Sequence, residues 1–314
     1  MYNITVFIFS TLKHLVETLL TISPTFQTLH YYLVKHPRVH NFEWHQGQTF
    51  GSSVTFLTLT ILLYLTLTFL LSRRHTSSSP SSTVVIPPSL LRLLTAAHNT
   101  FLLSLSAAMA LGCTLTILTT LPDVHNLICF PVGTVPKGPL FFWAHVFYLS
   151  KIYEYVDTLL IILSSSASRR LSFLHVYHHA TVVVMCYISL HTAQSMYPGI
   201  LVTNSAVHVV MYLYYLMCSL GKRPTWKKLV TDCQIVQFYS SFGIMALIFY
   251  YHFTGEGCSG IWGWCFDSVF IASLLFLFLD FHTKTYQSKK EVNGDGNGNG
   301  VVDDGGSGKA VKQA

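Results

Sequence analysis

Two clusters of polar side chains interrupt stretches of sequence that are otherwise apolar. Lys151, Glu154, Asp157 and Thr158 form the first cluster, and three histidines within residues 175–179 form the second. A charged side chain at the centre of a bilayer costs about 2.5–3.5 kcal/mol on insertion scales, so such groups usually face the interior of a helix bundle and serve a function. The two clusters therefore predict a polar site inside a membrane protein.

Each cluster is confined to one face of a helix. An α-helix advances about 100° per residue, which places the four polar groups of residues 151–158 within an arc of about 120°. The histidines, His175, His178 and His179, also fall on one face. A polar stripe can serve only to hold helices together, but three ionisable groups aligned with a threonine favour chemistry.

Two later segments add polar groups at helical spacing. Asn204, His208, Tyr212 and Tyr215 share an arc of about 100°, which predicts one wall of a polar cavity, although an aromatic belt is an alternative for the tyrosines. Gln234 shows the same pattern in the following segment, where glutamines can also simply bridge helices.

The composition places the chain among membrane proteins. Hydrophobic residues make up 51% and charged residues 10%, whereas soluble domains carry about 25% charged residues. A segment of about 20 apolar residues can cross a bilayer as a helix. Seven such segments occur, at 53–72, 90–120, 139–163, 174–190, 199–219, 230–253 and 262–281. The fold class that we predict is all-α, a polytopic membrane protein with seven transmembrane helices.

The distribution of Lys and Arg predicts the orientation. Twelve of these residues follow the odd-numbered segments, and four lie on the opposite side. Because cytoplasmic loops carry the excess of basic residues, we expect a lumenal N-terminus and a cytosolic C-terminus. The formal charge of +6 suits an anionic substrate or anionic lipid, and nothing in the pattern indicates nucleic-acid binding.

Three parts follow from this organisation. Residues 1–52 are expected to form a lumenal segment with an interfacial helix, and residues 53–283 the seven-helix transmembrane domain. Residues 284–314 are expected to be a disordered cytosolic tail, because they are rich in Gly, Asn and Asp.

Three cysteines lie in loops that we assign to the lumenal side: Cys129, Cys258 and Cys265. An oxidising compartment would allow a disulfide between Cys129 and either of the other two, and free thiols are an equal alternative. The cysteines of the chain do not show the spacing of metal ligands.

Metal chemistry is the first hypothesis for the histidines, as in di-iron lipid desaturases and hydroxylases. His36 and His40 resemble a second histidine cluster, but they precede the first apolar segment and lie on the opposite side of the membrane from His175. The remaining histidines are single. We therefore expect no metal site.

Acyl transfer without a metal is the second hypothesis. A neutral imidazole can attack a thioester and hold the acyl group, and decarboxylation of a malonyl thioester supplies a carbanion. Positioned Asn, Gln, Tyr or His donors can stabilise the resulting enolate and oxyanion, and a carboxylate can orient an imidazole. The third hypothesis is a non-catalytic seven-helix receptor or carrier, which the lack of a sequence signal for broken helices disfavours.

At these motifs the sequence resembles the ELO family of very-long-chain fatty acid elongases. The family's Lys-x-x-Glu-x-x-Asp-Thr motif matches residues 151–158, and its histidine box matches residues 174–179. The His-x-x-Met-Tyr-x-Tyr-Tyr motif matches residues 208–215, and the fourth motif matches residues 231–238. The resemblance covers about residues 45–290.

The resemblance implies a condensing enzyme of the endoplasmic reticulum membrane. It would join a long-chain acyl-CoA to malonyl-CoA and release 3-oxoacyl-CoA, CO2 and CoA, the first step of fatty acid elongation. Six of the seven helices would form a ring around an acyl tunnel. His178 would be the nucleophile with His208 close by, while His175 and His179 would support it or stabilise the oxyanion.

The resemblance also implies supporting roles for further residues. Either Glu154 or Asp157 would orient an imidazole, and Lys151 would meet the negative charge of CoA or a neighbouring carboxylate. Arg169 and Arg170 would bind CoA. The remaining supporting residues are Asn204, Gln234, Tyr212 and Tyr215.

No cofactor is expected beyond the two CoA substrates. The partners implied are membrane lipid, a 3-oxoacyl-CoA reductase, a 3-hydroxyacyl-CoA dehydratase and an enoyl-CoA reductase, and a homodimer is left open.

Overall fold

A computed structural model describes residues 2–77, 86–164, 171–222 and 224–287. Regular structure in these ranges is helical, apart from an isolated β-bridge between Glu43 and Lys137. The helices are α1 (Tyr2–Ile22), α2 (Pro24–His30), α3 (Pro37–His40), α4 (Val54–Ser77), α5 (Pro88–Thr120), α6 (Val124–Ile128), α7 (Pro139–Tyr153), α8 (Tyr155–Leu163), α9 (Phe173–His191), α10 (Tyr197–Ser219), α11 (Lys227–Thr254) and α12 (Ile261–His282). Short π-helical turns at Tyr31–Lys35 and Thr283–Gln287 follow α2 and α12. This confirms the all-α fold.

Six of these helices are long and apolar enough to cross a membrane: α4, α5, α9, α10, α11 and α12. They correspond to six of the seven predicted segments. By the same criteria the bent pair at Val6–Ile22 and Pro24–Lys35, whose axes meet at 114°, could count as a seventh. The chain is therefore a multi-pass membrane protein.

The predicted third segment, residues 139–163, is not one continuous helix. It divides at Glu154 into α7 and α8, of 15 and 9 residues. The amide of Asp157 donates to the carbonyl of Glu154 at 3.0 Å, a tight three-residue turn. Neither Gly nor Pro marks this position, so the sequence gives no signal for the interruption, and the expectation of one uninterrupted segment over 139–163 was wrong.

Local sequence explains where two of the helices that carry the clusters begin. The hydroxyl of Ser172 accepts the amide of His175 and caps the first turn of α9, immediately before the histidine box. α7 begins at Pro139, directly after Gly138, whose φ of 87° requires glycine. Proline is favoured in the first turn because its missing N–H has no helical partner there.

Six helices contact one another in a closed order. α5 packs on α7, α7 on α9, α9 on α12, α12 on α11, α11 on α10, and α10 returns to α5. α4 lies outside this ring and contacts α8 and α9. The close approach of α5 and α7 requires Gly112, because a side chain there would overlap the ring of Trp143. The expected six-helix ring is thus confirmed, while an acyl tunnel inside it stays a prediction.

The two ends of the ring differ. We call the end at which α5, α9 and α11 begin the histidine end, and the opposite end the disulfide end. At the disulfide end, Cys129 and Cys258 form a disulfide that joins the segment after α6 to the loop after α11. Of the two pairings left open, the structure contains this one, and Cys265 is a free, exposed thiol.

The segment at residues 44–52 is bonded into the ring from the disulfide half. The hydroxyls of Tyr148 and Tyr187 donate to the carbonyls of Gly51 and Ser52, at 3.0 Å each. The indole of Trp44 is buried and contacts the rings of Tyr148 and Tyr187. Residues 44–52 therefore bridge α7 and α9.

Candidate active site

The buried centre of the site is an ion pair that holds a histidine. The Nζ of Lys151 lies 2.8 Å from Oε1 of Glu154 and 2.9 Å from Nε2 of His208, and all three side chains are buried. An ammonium group can only donate hydrogen bonds, so Nε2 of His208 accepts. The proton of this imidazole then lies on Nδ1, which donates to the carbonyl of Asn204 at 2.9 Å. His208 is thus held at both nitrogens.

Glu154 and Asp157, on either side of the start of α8, supply the two carboxylates of the site. Glu154 lies at the junction of α7 and α8 and reaches back to Lys151, while Asp157 lies in the first turn of α8. One oxygen of Asp157 is 2.9 Å from Nε2 of His98, and the other accepts the hydroxyl of Tyr212 at 2.9 Å. Asp157 therefore links α8 to α5 and α10.

The histidine box lies beside this centre. The ring centroid of His179 is 4.3 Å from that of His175 and 5.3 Å from that of His178. His178, His179 and His208 are all close enough to Lys151 to interact with it electrostatically. The predicted clusters on three different helices therefore converge on one site.

The three box histidines differ in their hydrogen bonds. Nε2 of His175 is 2.9 Å from the hydroxyl of Thr158, which in turn lies 3.1 Å from the hydroxyl of Tyr64 on α4. Nδ1 of His179 is buried and has no hydrogen-bond partner among the described residues. Within the same part of the chain, the half-buried ring of His178 makes no hydrogen bond. His178 consequently has a ring nitrogen available for attack.

Some predicted site residues lie apart from this centre. Gln234 is 3.7 Å from the sulfur of Met211, and Tyr215 is exposed and contacts the ring of Tyr212. Asn204 contributes its backbone carbonyl to His208, while its side-chain oxygen is buried and unpartnered within the described ranges. Arg169 and Arg170 lie outside the described residues.

Two residues of the site were missed by the sequence analysis. His98 and Tyr64 each lie in a long apolar helix and belong to none of the motifs, and their polar neighbours one turn away, such as Thr95 and Thr68, include no second ionisable residue that would mark a cluster. The signal for His98 was the general rule that an ionisable residue within a membrane segment has a function. No comparable signal marks Tyr64.

The described residues contain no group of three His, Cys, Asp or Glu side chains placed to hold a metal ion. Two surface cavities, of about 400 and 380 Å3, lie elsewhere. The first is lined by His191, His252 and Trp262 among others, and the second lies between His30 and Thr119. Neither cavity includes a residue of the buried centre.

The family model described as "ELO: GNS1/SUR4 family" matches residues 49–294, a range that contains every residue of the site. The chain belongs to the ELO family. Among similar proteins, fatty acid elongase A of Dictyostelium discoideum is 34% identical over 202 residues, which cover 62% of this chain and 72% of the relative.

Relatives of this ELO protein also occur in plants and animals. The protein named fatty acid elongase 3-like of Arabidopsis thaliana is 29% identical over 274 residues, or 84% of this chain and 94% of the relative. Very long chain fatty acid elongase 4 of Mus musculus is 35% identical over 152 residues, which make up 46% of each chain.

Proposed function

We propose that this ELO protein is a fatty acid elongase that condenses a long-chain acyl-CoA with malonyl-CoA to give 3-oxoacyl-CoA, CO2 and CoA. Family membership and the names of its relatives support elongation in general. The observation that carries the finer proposal is the unbonded ring of His178 beside a buried centre of one cation, Lys151, and a fixed imidazole, His208.

The first half-reaction is acyl transfer to His178. A ring nitrogen attacks the thioester carbonyl, the tetrahedral intermediate collapses, the C–S bond breaks, and CoA leaves as a thiolate that takes up the proton lost by the imidazole. His208 is the weaker candidate for nucleophile, because its Nδ1 carries a proton bound to the Asn204 carbonyl and its Nε2 lone pair accepts from Lys151.

The second half-reaction joins the two chains. Malonyl-CoA loses CO2, and the electrons of the broken C–C bond form an enolate, whose carbon attacks the acyl carbon on His178. The C–N bond to the imidazole then breaks, and the departing imidazolate takes up a proton from solvent, which restores neutral His178. The enolate is an anion, so the buried ammonium of Lys151 beside His208 would stabilise it in a medium of low dielectric constant. No electrons are exchanged with a redox cofactor in either half-reaction.

The disulfide and the basic residues support the proposed orientation. Disulfides persist in oxidising compartments such as the lumen of the endoplasmic reticulum, and the Cys129–Cys258 pair lies at the disulfide end. The excess of Lys and Arg lies in loops at the histidine end. Both observations support a site in the cytosolic half, where CoA substrates would reach it.

The product defines the class of enzymes that act next. A 3-oxoacyl thioester must be reduced, dehydrated and reduced again before the chain can be extended once more. We therefore propose that a 3-oxoacyl-CoA reductase, a 3-hydroxyacyl-CoA dehydratase and an enoyl-CoA reductase act with this protein in the endoplasmic reticulum membrane.

The decisive test is a reaction with purified protein and no added metal. Labelled malonyl-CoA and a panel of acyl-CoAs should give 3-oxoacyl-CoA that is two carbons longer than the acyl substrate, identified by mass spectrometry. Malonyl-CoA without acyl-CoA is the control. Absence of any condensation product across the panel, from protein that is folded and monodisperse, would refute the proposal.

A further inference from the structure

His98 on α5 is a buried histidine that belongs to none of the motifs. Its side chain is 4% exposed, and its Nε2 lies 2.9 Å from Oδ1 of Asp157. Its ring stacks on Tyr153, with centroids 5.2 Å apart. No partner of its Nδ1 occurs among the described residues. Among the described residues, the hydrogen bond from Nε2–H to Asp157 is therefore the one that the His98 ring makes.

Two carboxylates share this site with a single ammonium group. Glu154 and Asp157 are three residues apart and interact electrostatically with each other. Among the Lys and Arg side chains whose exposure the structure describes, Lys151 alone is buried. Its ammonium binds Glu154 and His208, and so it does not neutralise Asp157. A carboxylate of low exposure needs hydrogen bonds or a counter-charge, and Asp157 receives them from His98 and Tyr212.

We propose that His98 is a positioning residue: by binding Asp157 it prevents this carboxylate from drawing the Lys151 ammonium away from His208. Without His98, one oxygen of Asp157 would lose its partner in a nearly buried site. Lys151 is the buried permanent cation of this site, and a move of its ammonium toward Asp157 would release Nε2 of His208. His98 thus acts on His208 through two other side chains without contacting it.

The expected effect of His98 on the two half-reactions rests on the proposed function. His98, Asp157 and Lys151 make no hydrogen bond to His178, so acyl transfer to His178 should depend little on His98. Condensation, for which we propose Lys151 and His208, should depend on it strongly. The two half-reactions can be measured apart, as CoA release from acyl-CoA alone and as labelled CO2 release from malonyl-CoA with the acylated protein.

The experiment compares wild type, His98→Ala, Asp157→Asn and the double variant. We expect His98→Ala to lower the rate of CO2 release about tenfold or more, because coupled neighbouring residues have effects of this size. The rate of CoA release should fall by less than about twofold. In the Asp157→Asn background there is no competing charge, so His98→Ala should cost little more. His98→Gln, which keeps an N–H donor toward Asp157, should recover most of the activity. His145→Gln on α7 is the matched control, since among the described residues the hydrogen-bond partner of that buried histidine is the Phe50 carbonyl, outside the site.

Three outcomes decide the matter. Independent, additive effects of His98→Ala and Asp157→Asn would overturn the inference, as would an equal loss in both half-reactions. If His98→Ala does not fold, His98→Gln and the double variant carry the same comparison. A wild-type protein that forms no condensation product from acyl-CoA and malonyl-CoA would refute the proposed function instead. In that case the same four proteins compared by unfolding temperature still test the inference, because the substitutions should be non-additive in stability too.

Discussion

The site contains two histidines of contrasting hydrogen bonding. Both nitrogens of His208 are engaged, one by the Lys151 ammonium and one by the Asn204 carbonyl. The ring of His178 makes no hydrogen bond within the described chain. An imidazole attacks through a nitrogen lone pair, so a ring without a hydrogen-bonded nitrogen is the better nucleophile and a ring fixed at both nitrogens the better orienting group.

His178→Ala should therefore lower the rate of CoA release from acyl-CoA alone by about a thousandfold or more. Removal of a covalent nucleophile has an effect of this size. A single-turnover assay of free thiol measures this, and mass spectrometry of the wild-type protein should locate the acyl group on His178. His191→Ala is the control, because His191 ends the same helix and is exposed. Normal CoA release by the His178 variant would contradict the assignment.

The junction of α7 and α8 contains both carboxylates of the site. Glu154 pairs with Lys151, while Asp157 binds His98 on α5 and Tyr212 on α10. The ion pair is fully buried, and removing one partner of such a pair leaves an uncompensated charge. The junction should therefore be stable only when both charges are present or both are absent.

Lys151→Met should lower the free energy of unfolding by about 3–5 kcal/mol, because Glu154 would remain buried without its cation. The double variant Lys151→Met/Glu154→Leu should recover most of that loss, and it should stay inactive because His208 lacks its partner. Thermal unfolding of the detergent-solubilised proteins measures the stability. A double variant that is no more stable than Lys151→Met would show that the pair does not behave as a unit.

The far half of the ring contains an apolar cluster that includes Ile200, Met245, Ile248 and the buried indole of Trp264. The proposed acyl chain would end there. Ile248→Phe should shorten the longest product by a few carbons without affecting the first condensation, because one methylene in a pocket is worth about 1–3 kcal/mol. Gas chromatography of the products measures the chain length. Leu247→Phe is the matched control, since Leu247 is its neighbour and is exposed. Equal product lengths in both variants would argue that another feature sets the length.

Helical periodicity was sufficient to predict most of the site, because it depends only on spacing within one segment. It placed Lys151, Glu154 and Asp157 on one face of a helix. It also placed the histidine box, and the stripe that contains His208, each on one face of its own helix. It could not reveal the turn at Glu154, which no Gly or Pro marks, nor the contact of His98 with Asp157 across 59 residues. Such contacts depend on how helices pack. The same limit explains Gln234, whose spacing fits the pattern although its side chain meets Met211.

A disulfide crosslinks two loops at one end of the helix ring. The Cys129–Cys258 disulfide spans 129 residues of sequence, and a loop of that length gains about 4–5 kcal/mol from a crosslink in the chain-entropy model. It holds the segment after α6 against the loop between α11 and α12. Loss of the bond should consequently weaken the fold without touching the chemistry.

Cys258→Ser should lower the unfolding temperature clearly, while CoA release in the first turnover stays within about twofold of wild type. Cys265→Ser is the control, because that thiol is free and exposed. Thermal unfolding with and without a reducing agent measures the effect, and reduction should matter only for proteins that contain the disulfide. An unchanged unfolding temperature in Cys258→Ser would show that the crosslink contributes little.

The orientation of the molecule can be tested independently of activity. If the basic loops are cytosolic, protease added to sealed microsomes should remove a tag placed after Ala314. A tag placed before residue 1 should be protected until detergent opens the vesicles. The reverse pattern would move the histidine end into the lumen and separate it from CoA substrates.

The segment at residues 44–52 has a consequence for the membrane itself. A polar site that admits CoA from one face brings water and ionisable groups deep into the bilayer, and a continuous wet path to the other face would conduct protons. Trp44, together with the Gly51 and Ser52 carbonyls bonded to Tyr148 and Tyr187, bridges α7 and α9 in the disulfide half. If CoA enters from the histidine end, as we propose, these residues would interrupt a water path to the opposite end, and the protein would not conduct ions.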